Sequence, residues 1–280
     1  MYINCNGSLI GFETPKVMGI LNLTPDSFYD GDRNKTEADY LAHAEKMLFE
    51  GATFIDVGAY SSRPGAIDIS EEEELQRIVP IVRSLVKTFP EVLLSIDTFR
   101  SAVARQCVEA GAAIINDISG GNLDKEMLKT VAELQVPYIL MHMRGTPKNM
   151  KELNSYDDLL QDILYYFSEK IAEARALGIN DLIIDPGFGF SKNIGQNFEL
   201  MSKLELFKTL DLPLLSGISR KSMIYKTLGI TPDDALNGTT ILNTVSLLKG
   251  AHILRVHDVK EAMETIKVTA ALQNITPANV

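Results

Sequence analysis

Two cysteines in 280 residues, Cys5 and Cys107, leave the chain almost nothing to cross-link with. Cys5 stands in the lead-in before the first strand and Cys107 on a helix face, so a bridge has no support. Both are expected to be free thiols in a reducing cytoplasm. Histidine is as sparse, with four residues and no Cys/His cluster, so no structural zinc site is expected. No apolar run approaches the ~20 residues that a membrane span needs. The opening MYINCNGSLIGF lacks the basic stretch followed by an apolar one that marks a signal peptide, and none is expected. Positive charge is also short: 27 Lys and Arg against 37 Asp and Glu give a formal net charge of −10. A nucleic-acid surface wants a basic face, so that class of partner is not expected. With no low-complexity segment, charged tail or linker, residues 1–280 read as one domain.

What the chain does have is a repeated pattern. Eight short apolar runs occur at Val17–Leu21, Thr53–Val57, Val92–Ile96, Ala113–Ile115, Pro137–Met141, Leu182–Ile184, Pro213–Leu215 and His252–Leu254. A parallel strand covered by helices on both faces reads as a continuous apolar run. Between the runs lie helical patterns. Thr36 to Glu50 carries Leu41, Ala44 and Leu48 on one face and stops before Gly51. Ser70 and Glu73 form a capping box for a helix running towards Phe89. Ser101 to Ala110, Tyr156 to Leu177 and Asp233 to Lys249 each end at a glycine, and Asp258 caps a last helix. In the fourth of these, Leu159, Ile163, Phe167 and Ile171 make a core-facing stripe. Strict strand–helix alternation implies parallel pairing with right-handed crossovers, and eight units close into an α/β (β/α)8 TIM barrel, which typically takes ~250 residues. An open doubly wound sheet is the competing architecture, but it gathers ligand groups at one switch point.

Here polar residues follow nearly every run, as at the C-terminal mouth of a barrel. Asn22 offers a carbonyl oxygen suited to Mg²⁺. Ser61, Ser62, Arg63, Pro64 and Gly65 form a loop able to hold an oxyanion. Asp97, Asn116 and Asp185 end the third, fourth and sixth runs. Two carboxylates and an amide around a small cavity suit a flat heterocycle with an amidine-like N–H edge, such as a pterin. Met141 and Phe190 could cover that ring, and the glycines of Gly187-Phe188-Gly189-Phe190 let backbone approach it. Lys221 can reach a ring carbonyl or a phosphate, while alternation puts Arg255 and His257 on one side. Arg63, Lys221, Arg255 and His257 in an acidic chain point to a multiply charged anion such as a diphosphate. His142 and His252 read as packing residues.

These residues resemble the dihydropteroate synthases, the folate-pathway enzymes that sulfonamides inhibit. The likeness rests on seven ordered segments: Met18 to Phe28, Asp56-Val57-Gly58 with Ser62 to Gly65, Ser95 to Thr98, Ile115-Asn116-Asp117, Asp185 to Phe190, Ser219 to Ser222, and Arg255 to Asp258. The chain departs from the family at Ser62, where Thr is usual, and at Tyr60, where a smaller polar residue is usual. The resemblance implies condensation of 6-hydroxymethyl-7,8-dihydropterin diphosphate with 4-aminobenzoate, by an SN1-like route, to dihydropteroate and diphosphate. It implies Asp97, Arg63, Lys221, Arg255 and His257 as the reacting machinery, Asn116, Met141, Asp185 and Phe190 around the pterin, and Ser61, Ser62, Pro64 and Ser222 around the aminobenzoate. It also implies Mg²⁺ at Asn22 and a homodimer through helices late in the chain. Two rivals share the pterin carboxylates: a pterin-binding methyltransferase domain, which needs no diphosphate clamp, and a non-catalytic pterin-binding paralogue.

Overall fold

The computed structural model describes residues 1–23, 36–61 and 68–272. The chain opens with an antiparallel hairpin of β1 (Tyr2–Cys5) and β2 (Ser8–Gly11). Eight parallel strands follow: β3 (Lys16–Asn22), β4 (Phe54–Gly58), β5 (Leu93–Asp97), β6 (Ile114–Asp117), β7 (Tyr138–Met141), β8 (Leu182–Asp185), β9 (Leu215–Ser216) and β10 (Ile253–Val256). They pair in the order β8-β7-β6-β5-β4-β3-β10-β9, and a parallel bridge between Ile184 and Leu214 joins the two ends. The sheet is therefore a closed barrel, and the open doubly wound alternative is excluded. Each of the eight apolar runs overlaps a strand, and five of the polar residues read as lying at or past their ends (Asn22, Asp97, Asn116, Asp185 and Arg255) belong to the strands themselves.

Strand alternation sorts the barrel into two cores. Val17, Leu21, Ile55, Val57, Leu94, Ile96, Ile115, Leu140, Ile184 and Leu254 face outward and pack under the helices. Met18, Phe54, Ile114, Ile139, Ile183, Leu215 and Ile253 face inward and pack with Ile3, Cys5 and Phe12 of the N-terminal segment. The hairpin thus closes the bottom of the barrel. Two residues further along four of these strands the inward position becomes polar: Phe54 gives way to Asp56, Ile114 to Asn116, Ile183 to Asp185 and Ile253 to Arg255. An apolar floor carries a charged upper layer.

The outer ring holds α1 (Glu37–Phe49), α2 (Glu71–Thr88), α3 (Ser101–Glu109), α4 (Met127–Leu134), α5 (Leu159–Ala176), α6 (Ile194–Ser202), a 3₁₀ helix (Leu204–Leu210), α7 (Ser222–Leu228), α8 (Leu236–Leu248) and α9 (Val259–Leu272). Thr36 and Asp39 close a capping box on α1, and Ser70 accepts from the Glu73 amide at the start of α2. The helix expected from Tyr156 begins at Leu159, because Asp158 takes the cap and Tyr156 instead lies under the Arg144 guanidinium, 3.9 Å from its ring centre. The one expected from Asp233 begins at Leu236, because Thr231 and Asp234 form a turn, joined at 2.7 Å. Cys5 and Cys107 are both buried and free. Among the described residues no helix is long and apolar enough to cross a membrane.

Phe54 is fully buried in the barrel floor. Phe54→Ala should lower stability by ~3–5 kcal/mol, the usual cost of a large cavity in a packed core. Urea unfolding followed by circular dichroism checks this, the expected result being a lower midpoint with an unchanged slope.

Candidate active site

The upper layer of the barrel is organised around Arg255. Its Nε donates to Asp56 Oδ2 at 2.6 Å and its Nη2 to Asp97 Oδ2 at 2.6 Å. Asn116 Nδ2 donates to the same Asp56 oxygen at 3.0 Å. Strand register brings these groups level, since β5 pairs Asp97 with both Gly58 and Asn116. Asp56 is completely buried. It was not read as a site residue from the sequence, because it lies inside an apolar run; its inward phase, two residues from Phe54, was the available signal. Burial, joined by the Asp56 carboxylate and opposed by Arg255, pushes Asp97 up to about 7. Arg255 is held above its usual range: burial favours its neutral form, and Asp56 and Asp97 more than offset that. Two of its three nitrogens are thus committed to carboxylates, where the sequence suggested an arginine aimed at an anion beside His257.

Asp185 stands across the mouth on β8. Its Oδ1 accepts from the Gly187 amide at 2.8 Å, and burial raises it despite Lys221, that amide and Arg255. The loop after β8 is clamped from behind by a lysine that the sequence reading passed over. Lys192 Nζ donates to the carbonyls of Gly187 and Phe190, each at 3.0 Å, and lies 3.0 Å from His142 Nδ1. Burial drives both Lys192 and His142 well below their usual values, and the three contacts of the Lys192 amine pack the loop down. Lys221, at the N-cap of α7, donates to the Phe188 carbonyl and lies 4.7 Å from the Phe190 ring centre. Burial lowers it to about 8, against the pull of Asp185. Met141 is buried with Ile118, Met143 and Met150, and Phe190 packs against them, giving the mouth one apolar wall.

His257 Nδ1 is 3.0 Å from Ser219 Oγ, which also accepts from the His257 amide at 3.2 Å. Arg220, at φ 55°, binds Asp258 through two nitrogens at 2.8 and 2.9 Å and so ties the loop carrying Lys221 to the start of α9. Ser222 begins α7, and Ser61 is half-buried after β4. Ser62, Arg63 and Pro64 lie outside the described residues. Tyr60 donates to Asp68 at 3.1 Å and meets Phe99 edge to face, so it is held beside the mouth. Asn22 ends β3, paired with Gly58. Among the described residues no group of three or more His, Cys, Asp or Glu is placed to hold a metal. A single amide oxygen still fits Mg²⁺, which commonly takes one or two protein ligands and completes its shell with phosphate and water.

The model of the pterin binding enzyme family matches residues 18–257. The chain is 44% identical over 273 residues to the dihydropteroate synthase of Escherichia coli strain K12, covering 97% of this chain and 96% of that one. Yersinia pestis dihydropteroate synthase, solved as a sulfonamide drug complex, superposes with a TM-score of 0.93 at 43% identity, covering 98% of this chain and 100% of that one. The Xanthomonas albilineans enzyme, solved with 4-aminobenzoic acid, gives 0.90 at 37% identity, covering 98% and 99%.

Gly187 has φ +72°, and a Cβ there would lie 2.2 Å from the His142 carbonyl oxygen. Gly187→Ala should displace the loop and with it the amide that orients Asp185, costing at least ~1–3 kcal/mol of stability for the strained backbone. Thermal unfolding checks the cost, and a midpoint equal to wild type would show that the loop yields freely.

Proposed function

Because this chain belongs to the dihydropteroate synthases of the pterin-binding enzyme family, we propose that its barrel mouth joins 6-hydroxymethyl-7,8-dihydropterin diphosphate to 4-aminobenzoate, releasing dihydropteroate and diphosphate. The enzyme is a transferase of folate synthesis. The observation that carries the detailed reading is the set of acceptors in the upper layer: Asp97, Asp185 and the amide of Asn116, beside Lys221.

A dihydropterin presents N–H groups along one edge and a carbonyl next to them. Asp97, Asp185 and Asn116 would accept from the edge, Lys221 would donate to the carbonyl, and Met141 and Phe190 would cover the ring faces. The reaction needs the exocyclic CH₂–O bond to break with its electron pair leaving on diphosphate. The resulting cation is delocalised into the ring, where the carboxylates of Asp97 and Asp185 favour it. The arylamine nitrogen then forms the new C–N bond and loses a proton to solvent. No strong base is required, because an arylamine is already neutral at pH 7. His257 would hold the departing diphosphate with Arg63 and the remaining nitrogen of Arg255. Asn22 would give Mg²⁺ one oxygen, and the ion would supply further charge neutralisation at the diphosphate. Ser61, Ser62, Pro64 and Ser222 would border the aminobenzoate, and a sulfonamide would compete for the same place. The protein would act in the cytoplasm as a homodimer. Ile241 and Leu248 on α8, with Val268 and Leu272 on the neighbouring α9, expose the apolar surface that a second copy would cover.

Turnover with both substrates is the direct test. Dihydropteroate and diphosphate should appear together and only when aminobenzoate is present. Release of a methyl group to a cobalamin protein, or no turnover with intact pterin binding, would favour the methyltransferase or the silent paralogue. Asp185→Asn should weaken binding of the bare pterin alcohol by ~1–3 kcal/mol, the cost of mispairing a buried polar group. Calorimetry showing unchanged affinity would remove Asp185 from the ring site. His257→Ala should reduce affinity for the pterin diphosphate far more than for the alcohol, and an equal loss would assign His257 to folding or to the ring.

A further inference from the structure

Asp56 has no place in the reaction as described, yet it is the most deeply buried charge in the upper layer. We propose that Asp56 is a positioning residue that sets the hydrogen-bonding polarity of the ring site: it turns the Asn116 amide so that its oxygen faces the ligand, and it divides the Arg255 guanidinium between itself and Asp97. This rests on the reading of the barrel mouth as a pterin site.

The chemistry follows from one oxygen. Asp56 Oδ2 takes both the Arg255 Nε and the Asn116 Nδ2. An ionised carboxylate can only accept, so Asn116 must offer it the NH₂ group and turn its carbonyl oxygen elsewhere. Asn116 thereby becomes a third acceptor beside Asp97 and Asp185, and the layer selects a ring with contiguous N–H donors. Two acids face the one guanidinium of Arg255, so the cluster carries no excess positive charge near a ring that turns cationic during reaction. A stability role alone does not account for this carboxylate. Asp56 Oδ1 is buried without a hydrogen-bond partner, as is Oγ of Ser95, its register partner on β5. A half-satisfied buried carboxylate is a costly way to hold two side chains in place.

The groups that face Asp97 are Arg255 from β10, Asp56 from β4, Glu74 from α2, Asp117 from β6 and Lys221 at the start of α7. Glu74 is bound by Thr98 and Arg100, and Asp117 by Ser119, Gly121 and Tyr138. Asp56 is therefore the acid that competes with Asp97 for Arg255. Removing its charge leaves the guanidinium to Asp97, which then ionises at lower pH.

The experiment is calorimetric titration of wild type and Asp56→Asn with 6-hydroxymethyl-7,8-dihydropterin, the bare alcohol, across about pH 5 to 9. Wild-type affinity should fall about tenfold per unit below about pH 7, where Asp97 takes its proton. In Asp56→Asn, affinity on the alkaline plateau should be about tenfold weaker. The fall should begin at least about one unit lower. A residue that only filled the core would lower the melting temperature without moving that profile. Equal plateau and equal profile in the variant, with wild type binding the alcohol, would overturn the role of Asp56 and leave the pterin site standing. Failure of wild type to bind would overturn both. If Asp56→Asn does not fold, the wild-type profile decides: a fall near pH 7 supports the shared guanidinium, and flat affinity overturns it.

Discussion

One guanidinium shared by two carboxylates inside a closed barrel is the constraint on which the site depends. Arg255 rises from β10 and meets Asp56 on β4 and Asp97 on β5, reaching across the barrel past β3. The contact is possible because the barrel closes and because strand phase points all three side chains inward. It is needed because three charges in a dry interior would be prohibitive unless paired. Once Arg255 is fixed, Asn116 is fixed through Asp56.

The second half of the site is built differently. Asp185 is held by backbone, through the Gly187 amide, and that backbone is held by the buried Lys192–His142 pair. One half of the mouth is thus set by charge pairing and the other by a packed loop. The two meet at Lys221, whose amine is anchored on the Phe188 carbonyl and faces the Phe190 ring. A diphosphate-bearing ring seated there would meet acceptors at its edge and cations at its leaving group, and this polarity suits departure of an anion from a carbon that becomes cationic.

Much of this architecture is legible in the sequence, for a physical reason. Strands covered on both faces must be continuously apolar, so all eight announced themselves, and the acids and amides that interrupt the pattern marked the mouth. What escaped notice also has reasons. Asp56 was hidden because a run judged apolar as a whole was not read by its period of two. The β1–β2 hairpin was read as a lead-in, because four-residue strands with mixed exposure carry little signal. Helix α4 is short and has no side-chain cap to flag it, whereas α6 is short but carries the Asn193–Gln196 capping box as its signal. The engagement of Arg255 could not be read at all: its partners lie 158 and 199 residues away, and only closure of the barrel brings them together. Lys192 carries no signal in the sequence and is a buried clamp in the fold.

The central claim is that the polar upper layer of the barrel grips a pterin ring by its N–H edge. A crystal structure of this protein soaked with 6-hydroxymethyl-7,8-dihydropterin tests it most directly. The ring should lie between Met141 and Phe190, with its N–H edge in hydrogen-bonding contact with Asp97, Asp185 and the Asn116 oxygen and its carbonyl turned to Lys221, while Arg255 keeps both carboxylates. A ring bound elsewhere, or one that presents its acceptors to Asp185, would contradict the account.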